Sequence, residues 1–353
     1  MSLRTPSRTA LASVLVVATL GAASDHAAGA GDADCGFGTF GSGRWPASCW
    51  RPYGPDSPFN RVPPDPTPVP NSQAIVDRVL AMGPIADMVV APDTASDWFH
   101  PVYYSAPTDP LFSIRCTGQV GQCEVEGMTV RIPDAARPAG GGDAHLAVVD
   151  QSSGWEYDFD RVQDKPAGGG TLTVSWGGRT RIDGDGLGSD ATAAHFGLLA
   201  GIIRAQEMAA GQINHALFMM VGCTAHAYLY PADGFAYDCA DQTDAPAVGQ
   251  YFWLQMTDTE IDALDVPDWK KTILRALSRY GAFVGDTGGN EAFTFQFESG
   301  STYTSFGVED PMAAFAREQT AGVTERDGGY EFDLGSGVDW RNRLRVLDPP
   351  APS

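Results

Sequence analysis

Basic residues are scarce in this 353-residue chain: 23 lysines and arginines stand against 44 aspartates and glutamates, for a formal charge of −21. A field of that sign repels phosphate, and no Lys/Arg cluster with interleaved aromatics overrides it, so nucleic acid is excluded as a partner. Long apolar runs are also missing. Beyond the N-terminus no stretch reaches the roughly eighteen consecutive apolar residues that a spanning helix needs. CxxC pairs, a GxSxG elbow, an HExxH helix and a P-loop are all absent. Their absence removes finger-type zinc sites, elbow-type serine hydrolases, zincins and nucleotide cradles.

What is present starts with Arg4 and Arg8 ahead of the apolar run ALASVLVVATLGAA. Its length is that of a secretory h-region, and small residues offer cleavage after Ser24 or after Ala30. Residues 1–30 therefore read as a signal peptide, and the mature chain as secreted with no membrane attachment. Cleavage removes Arg4, Arg8 and Asp25, a net +1, leaving −22. Export makes disulfides the expected state of the six cysteines. The expected pairing is nearest-neighbour, one of fifteen combinations: Cys35 with Cys49, Cys116 with Cys123, Cys223 with Cys239.

The 41 glycines and 25 prolines imply many turns. Residues 31–70, with PPDPTPVP, read as a proline-rich arm carrying the first disulfide and wrapping the domain. Residues 71–322 read as one β-rich domain and 323–353 as a glycine-rich tail, only partly ordered. Eight short runs (VYYS, FSIRC, MTVRIP, HLAVVD, WEYDFD, LTVSW, ALFMMV and AYLYP) are separated by Gly, Pro and Asp. They predict a mainly β protein, a jelly-roll-like β-sandwich with a few peripheral helices. Helices are expected at NSQAIVDRVLAM, at LLAGIIRAQEMAAG ending on Gly211, at VPDWKKTILRALSRYG, and from Asp310 with Pro311 first.

Strand periodicity then sorts the polar residues. In INHALFMMV, His215 shares a face with Ile213, Leu217, Met219 and Val221, while Ala216, Phe218 and Met220 take the other. Both faces are apolar, so a packed core histidine is the plain reading. Past the Gly222-Cys223 break, His226, Tyr228 and Tyr230 share one face. Such a row suits the apolar face of a pyranose, and cross-strand packing is the alternative. In WEYDFD the carboxylates of Glu156, Asp158 and Asp160 share a face, either as paired acids or as an ordinary solvated edge. His145 and Asp150 fall on opposite faces of their strand. Asp183, Asp185 and Asp190 resemble a calcium loop but lack its closing glutamate, so no cofactor is expected.

The order SPFN, HPVYY, DAHLAVVD, GSDATAAHFGLLAGIIRAQEMAAGQINHAL and ILRALSRYGAFVGDTGG resembles a broad set of secreted bacterial and some fungal proteins of no established activity. Members carry a Ser-x-Asp-Ala-Ala-Gly-Leu-Pro segment, then Gly-(Leu/Ile)-(Ile/Val)-Arg-x-x-Glu-x-x-x-Gly-x-Ile-x-His-Ala-Leu, then Leu-x-x-Tyr-Gly-x-x-x-x-Asp-(Asn/Thr)-Gly. The resemblance spans residues 57–290 and marks Ser189, Asp190, Arg204, Glu207, His215, Tyr280 and Asp286. The chain departs from the pattern at Ala144, where members have Arg before His145, and at His195-Phe196-Gly197, where they have Gly-Leu-Pro.

Together these readings give a secreted carbohydrate-active protein acting on a polysaccharide or cell-wall glycan. Glu207, His215, Asp286, Asp190, Arg204 and Tyr280 are its expected catalytic set, with His226, Tyr228, Tyr230 and His145 binding substrate. A hydrolase would use two carboxylates; a lyase would use a His or Tyr base, with Arg204 neutralising a uronate. The alternative is a non-catalytic extracellular glycan-binding or envelope-associated protein.

Overall fold

A computed structural model describes Cys35, Phe37, Gly38, Phe40 and residues 44–351, apart from 92–94 and 119–122. The expected signal peptide lies outside the described residues. In chain order the first elements are α1 (Ser72–Leu80), β1 (Met88–Val90), β2 (Val102–Ser105), β3 (Leu111–Cys116), β4 (Thr129–Arg131), β5 (Leu146–Asp150), β6 (Trp155–Asp164) and β7 (Gly170–Arg181). There follow α2 (Ala205–Ala210), β8 (Leu217–Val221), β9 (Tyr251–Leu254), α3 (Asp258–Asp262), α4 (Asp268–Arg279), β10 (Ala282–Thr287) and β11 (Phe293–Phe295). The chain closes with α5 (Ser301–Thr304), α6 (Pro311–Glu318), β12 (Val323–Arg326), β13 (Gly329–Phe332), α7 (Trp340–Arg343) and β14 (Leu344–Leu347).

The protein is mainly β, as expected. Six strands run β2-β5-β6-β7-β3-β4, five run β11-β8-β10-β9-β14, and three run β1-β13-β12. Pairings are mostly antiparallel, with β2 on β5, β3 on β7 and β8 on β10 parallel.

The two larger sheets face each other across one core. Val102, Tyr104, Ala147 and Val149 of the six-stranded sheet meet Phe218, Tyr251 and Phe283 of the five-stranded sheet there. Leu146, Val148, Phe159 and Leu172 pack on the outer side of the first sheet. Leu217, Met219, Val221, Ala282 and Val284 pack on the outer side of the second, under α1, α2, α4 and α6. The five-stranded sheet and strands β2 and β5 of the other thus bury both faces and read as near-continuous apolar runs, while β3 alternates buried with exposed residues. The face split expected for INHALFMMV holds, with Ile213, Leu217, Met219 and Val221 in one core and Ala216 and Phe218 in the other.

Four local differences have physical causes. The helix at LLAGIIRAQEMAAG starts only at Ala205, because Gly201 turns at φ 73° and Arg204 is extended. AYLYP forms no strand: among the described residues, it makes a single isolated bridge, Tyr228 to Val248. The arm is more than a wrapping, since Phe40, Trp50, Tyr53 and Phe59 are buried between the sheets. Residues 323–351 are no tail, because β12 and β13 form a hairpin and β14 edges the five-stranded sheet with Leu344, Val346 and Leu347 buried.

The three disulfides join Cys35 to Cys49, Cys116 to Cys123 and Cys223 to Cys239, the expected pairing. They suit an oxidising environment.

One close approach fixes the packing of β8 against β10 within the five-stranded sheet. A Cβ on Gly285 of β10 would lie 2.1 Å from the Phe218 ring of the neighbouring β8. Gly285→Ala is therefore expected to destabilise the fold by about 1–3 kcal/mol. Urea melts should show a lower midpoint at unchanged m-value.

Candidate functional site

Three groups of polar side chains lie in or beside the inter-sheet core. The first is Arg204 with Glu207 and His215. Arg204 caps α2: its backbone N–H donates to Glu207 Oε2 at 3.0 Å, and its Nη2 donates to Glu207 Oε1 and to the Trp50 carbonyl, each at 2.7 Å. His215 Nε2 lies 3.2 Å from Glu207 Oε1, and its Nδ1 lies 2.9 Å from the Ala216 carbonyl oxygen. Burial would raise the Glu207 pKa, but Arg204 and His215 outweigh it and hold the carboxyl down to about 2. The fold brings these three of the six expected catalytic residues together, yet all are closed off from solvent. They are a sealed ionic joint. Tyr303 and Gln206 extend it, with Tyr303 Oη donating to Glu298 Oε2 at 2.7 Å. Burial lifts the Glu298 carboxyl to about 7.

The second group replaces the solvated edge that is the plain reading of WEYDFD. Glu156 and Asp158 are fully buried. Glu156 accepts from Tyr53 Oη at 2.7 Å and from the Leu199 backbone N–H at 2.9 Å, and Asp158 accepts from Ser189 Oγ at 2.6 Å. Burial raises both pKa values, and for Asp158 the neighbouring Glu156 adds to the rise. Ser189, one of the residues marked by the resemblance, is thus the donor to Asp158 Oδ2.

The third group is partly open. Leu146 of β5 pairs with Phe159 of β6, so one step beyond the ladder His145 meets Asp160, with Nε2 3.8 Å from Oδ1. Behind it His100 packs edge-on at 4.8 Å between ring centroids, and its Nδ1 donates to the Leu198 carbonyl at 2.8 Å. Burial holds both imidazoles neutral, His145 down to about 4. His145 Nδ1 has no well-formed hydrogen bond, although the Ala191 backbone approaches it. Across the sheets Asp286 of β10 joins the cluster. Burial lifts it to about 6, and the charges of Asp143 and Asp160 add to the rise. Asp160 is likewise lifted to about 6, burial outweighing Arg161.

Backbone strain gathers at the same place. Ala144 (φ 37°) and Arg161 (φ 49°) both sit in the left-handed region without being glycine, joined by Arg161 N–H to the Asp143 carbonyl at 2.7 Å. Such strain persists where surrounding structure enforces it, commonly at functional sites. Beside Asp143, the Trp98 ring lies on Gly141 and Gly142, where an added Cβ would come within 3.0 Å of it, and the ring is 51 % exposed.

The other expected residues fall elsewhere. Asp190 is 3.7 Å from His195 Nδ1, which also contacts Asp233 at 2.6 Å. Tyr280 is buried at the end of α4 in the inter-sheet core. His226 and Tyr228 are exposed on the 222–250 loop, while Tyr230 is half-buried ahead of Pro231. Asp183 of the calcium-like run gives both oxygens to Arg181. Sequence reasoning missed His100, Asp143 and Trp98 as site residues. Asp160 was also outside the expected catalytic set, and the available signal for it was the β5–β6 hairpin register that sets it beside His145.

No family model, curated protein or solved structure matches the chain. The geometry is what bears on function.

The buried carboxyls fix how stability depends on pH. Glu298 is raised from 4.5, so its contribution is full below about 4.5 and is lost as pH rises through about 7. Glu207 is depressed, so its contribution is present above about 4.5 and is lost as pH falls through about 2. The melting temperature should therefore be higher at pH 5 than at pH 8, and Glu298→Gln should flatten that decline by a few degrees.

Proposed function

We propose that the protein is a secreted polysaccharide hydrolase acting on neutral glycans, with the acid–base work done by Asp160, Asp286 and His145. The observation that carries this reading is that Asp160, 3.8 Å from the neutral His145, and Asp286, on the opposite sheet and within reach of the Asp160 charge, are both held at about 6. Near pH 6 each of the two is partly protonated, so one carboxyl can donate to a leaving oxygen while the other is ionised for water or the sugar carbon. Trp98, half exposed beside Asp143, offers a stacking face for a sugar ring.

The charge pattern favours hydrolysis over elimination. A lyase needs a cation to neutralise the uronate carboxylate, and the expected candidate, Arg204, is committed to Glu207 inside the core. The partly open cluster holds Asp143, Asp160 and Asp286, and among the described residues Arg161, 3.6 Å from Asp160, is the cation paired with it. A polyuronate would meet net repulsion there.

The test is incubation with a panel of neutral and uronate polysaccharides. New reducing ends from a neutral glycan without ultraviolet absorbance are expected; unsaturated products would mean a lyase, and retention without products a binding protein. Asp160→Asn and Asp286→Asn should each lower kcat by about 10²-fold or more, and the wild-type rate should peak near pH 6 and fall on both sides.

A further inference from the structure

A second feature concerns how such a protein would hold a polymer. The 222–250 segment contains no helix or strand, yet it is densely fixed. Cys223 is bonded to Cys239, and Thr224 N–H donates to the Tyr237 carbonyl at 2.9 Å. Ala225 N–H donates to the Pro246 carbonyl at 2.8 Å, and Leu229 N–H to the Val248 carbonyl at 2.8 Å. On this rigid base the rings stand in water: His226 is stacked on Phe235 at 5.1 Å and 17°, and Tyr228 stands edge-on to Phe235 at 5.0 Å. Tyr237 is 74 % exposed and Phe235 51 %. Exposed rings fixed by this many bonds lose little freedom on binding, which is what a preorganised platform requires.

Chemistry and size narrow the occupant. The segment carries Asp233, Asp238, Asp241 and Asp244 and no lysine, arginine or glutamate, so anionic lipid, nucleic acid and polyuronate are repelled. Four rings are far fewer than the roughly 20–30 residues a side of a stable protein interface. They match a few pyranose units, whose apolar faces stack while the Asp238 carboxylate, already 2.8 Å from His226 Nδ1, offers an acceptor at the rim.

Topology relates the platform to the acid cluster. The segment leaves β8 just after Val221, which pairs with Thr287, the residue following Asp286 on parallel β10. It is also tied to residues 190–195, through His195 to Asp233 and Asp233 N–H to the Ala194 carbonyl at 3.4 Å, and the same stretch brings Ala191 against His145. We infer that the rings of His226, Tyr228, Phe235 and Tyr237 form a distal subsite that holds a neutral polysaccharide chain. The inference deepens the hydrolase reading by naming where its polymer is gripped, and so rests on it in part.

Retention on insoluble neutral polysaccharides (amorphous cellulose, starch granules, curdlan and chitin), with alginate and pectate gels as anionic comparisons, tests it separately from catalysis. The wild type is expected to be retained by at least one neutral polymer and by neither polyuronate. A Phe235→Ala/Tyr237→Ala double variant should bind that polymer at least tenfold more weakly, and Phe235→Trp/Tyr237→Phe should restore retention. Val308→Ala, which trims an exposed apolar side chain elsewhere, should match the wild type. Circular dichroism and melting of the double variant check that it is folded. Absence of retention on every neutral polymer, or equal retention of the folded double variant, overturns the inference. Retention without any products would leave the platform standing and remove the hydrolase; products with an unaffected double variant would do the reverse.

Discussion

A guanidinium carried into the interior of a protein must find partners, and the position of Arg204 organises much of this fold. Its charge is met by Glu207, and a second bond runs to the carbonyl of Trp50, far back in the arm. Breaking a buried pair by removing one partner typically costs about 3–5 kcal/mol, because the other charge is left without compensation. The arm is therefore part of the core. It seats the Trp50 ring beside Phe40 and Tyr104, and it brings Tyr53, at φ 69°, to where its hydroxyl reaches Glu156. The sheets close around a segment that by composition alone is only a proline-rich strap.

That dependence explains what could and could not be read in advance. Seven of the eight expected strand runs are strands, because period-two alternation and turn residues are local properties. The edges of α4 and α6 were equally legible: Gly281 follows the first, and Asp310 caps the second by accepting from Met312 N–H. The burial of Glu156 and Asp158 was not legible. An alternating Trp-Glu-Tyr-Asp-Phe-Asp strand looks half-solvated until the arm and the 189–199 segment cover its polar face with Tyr53, Ser189 and the Leu199 amide.

The candidate site shows the same limit from the other side. His145 and Asp160 are neighbours through a hairpin, so their meeting follows from strand register. Asp286 comes from the opposite sheet and lies 141 positions from His145 in the chain, and no periodicity links the two. The family-like pattern singled out Asp286, but also Glu207, His215, Arg204 and Tyr280, which the fold buries. Motif order alone does not separate a residue that faces solvent from one that holds the core.

The charge of the whole chain joins these levels. A chain of formal charge −21 surrounds its carboxylates with a negative field, and at the sheet junction burial raises the proton affinity of Asp160 and Asp286 above its value in water. What costs the fold stability as pH rises is also what keeps Asp160 and Asp286 titrating near 6 instead of near 4. Partly exposed Asp160 feels salt more than the core pairs do, because screening acts over roughly 8–10 Å in solvent and far less inside. The surface field and the buried joint therefore have separable roles. The joint around Arg204 fixes the arm, while burial and the neighbouring carboxylates set the proton affinity of the open cluster and the surface field turns away polymers of its own sign.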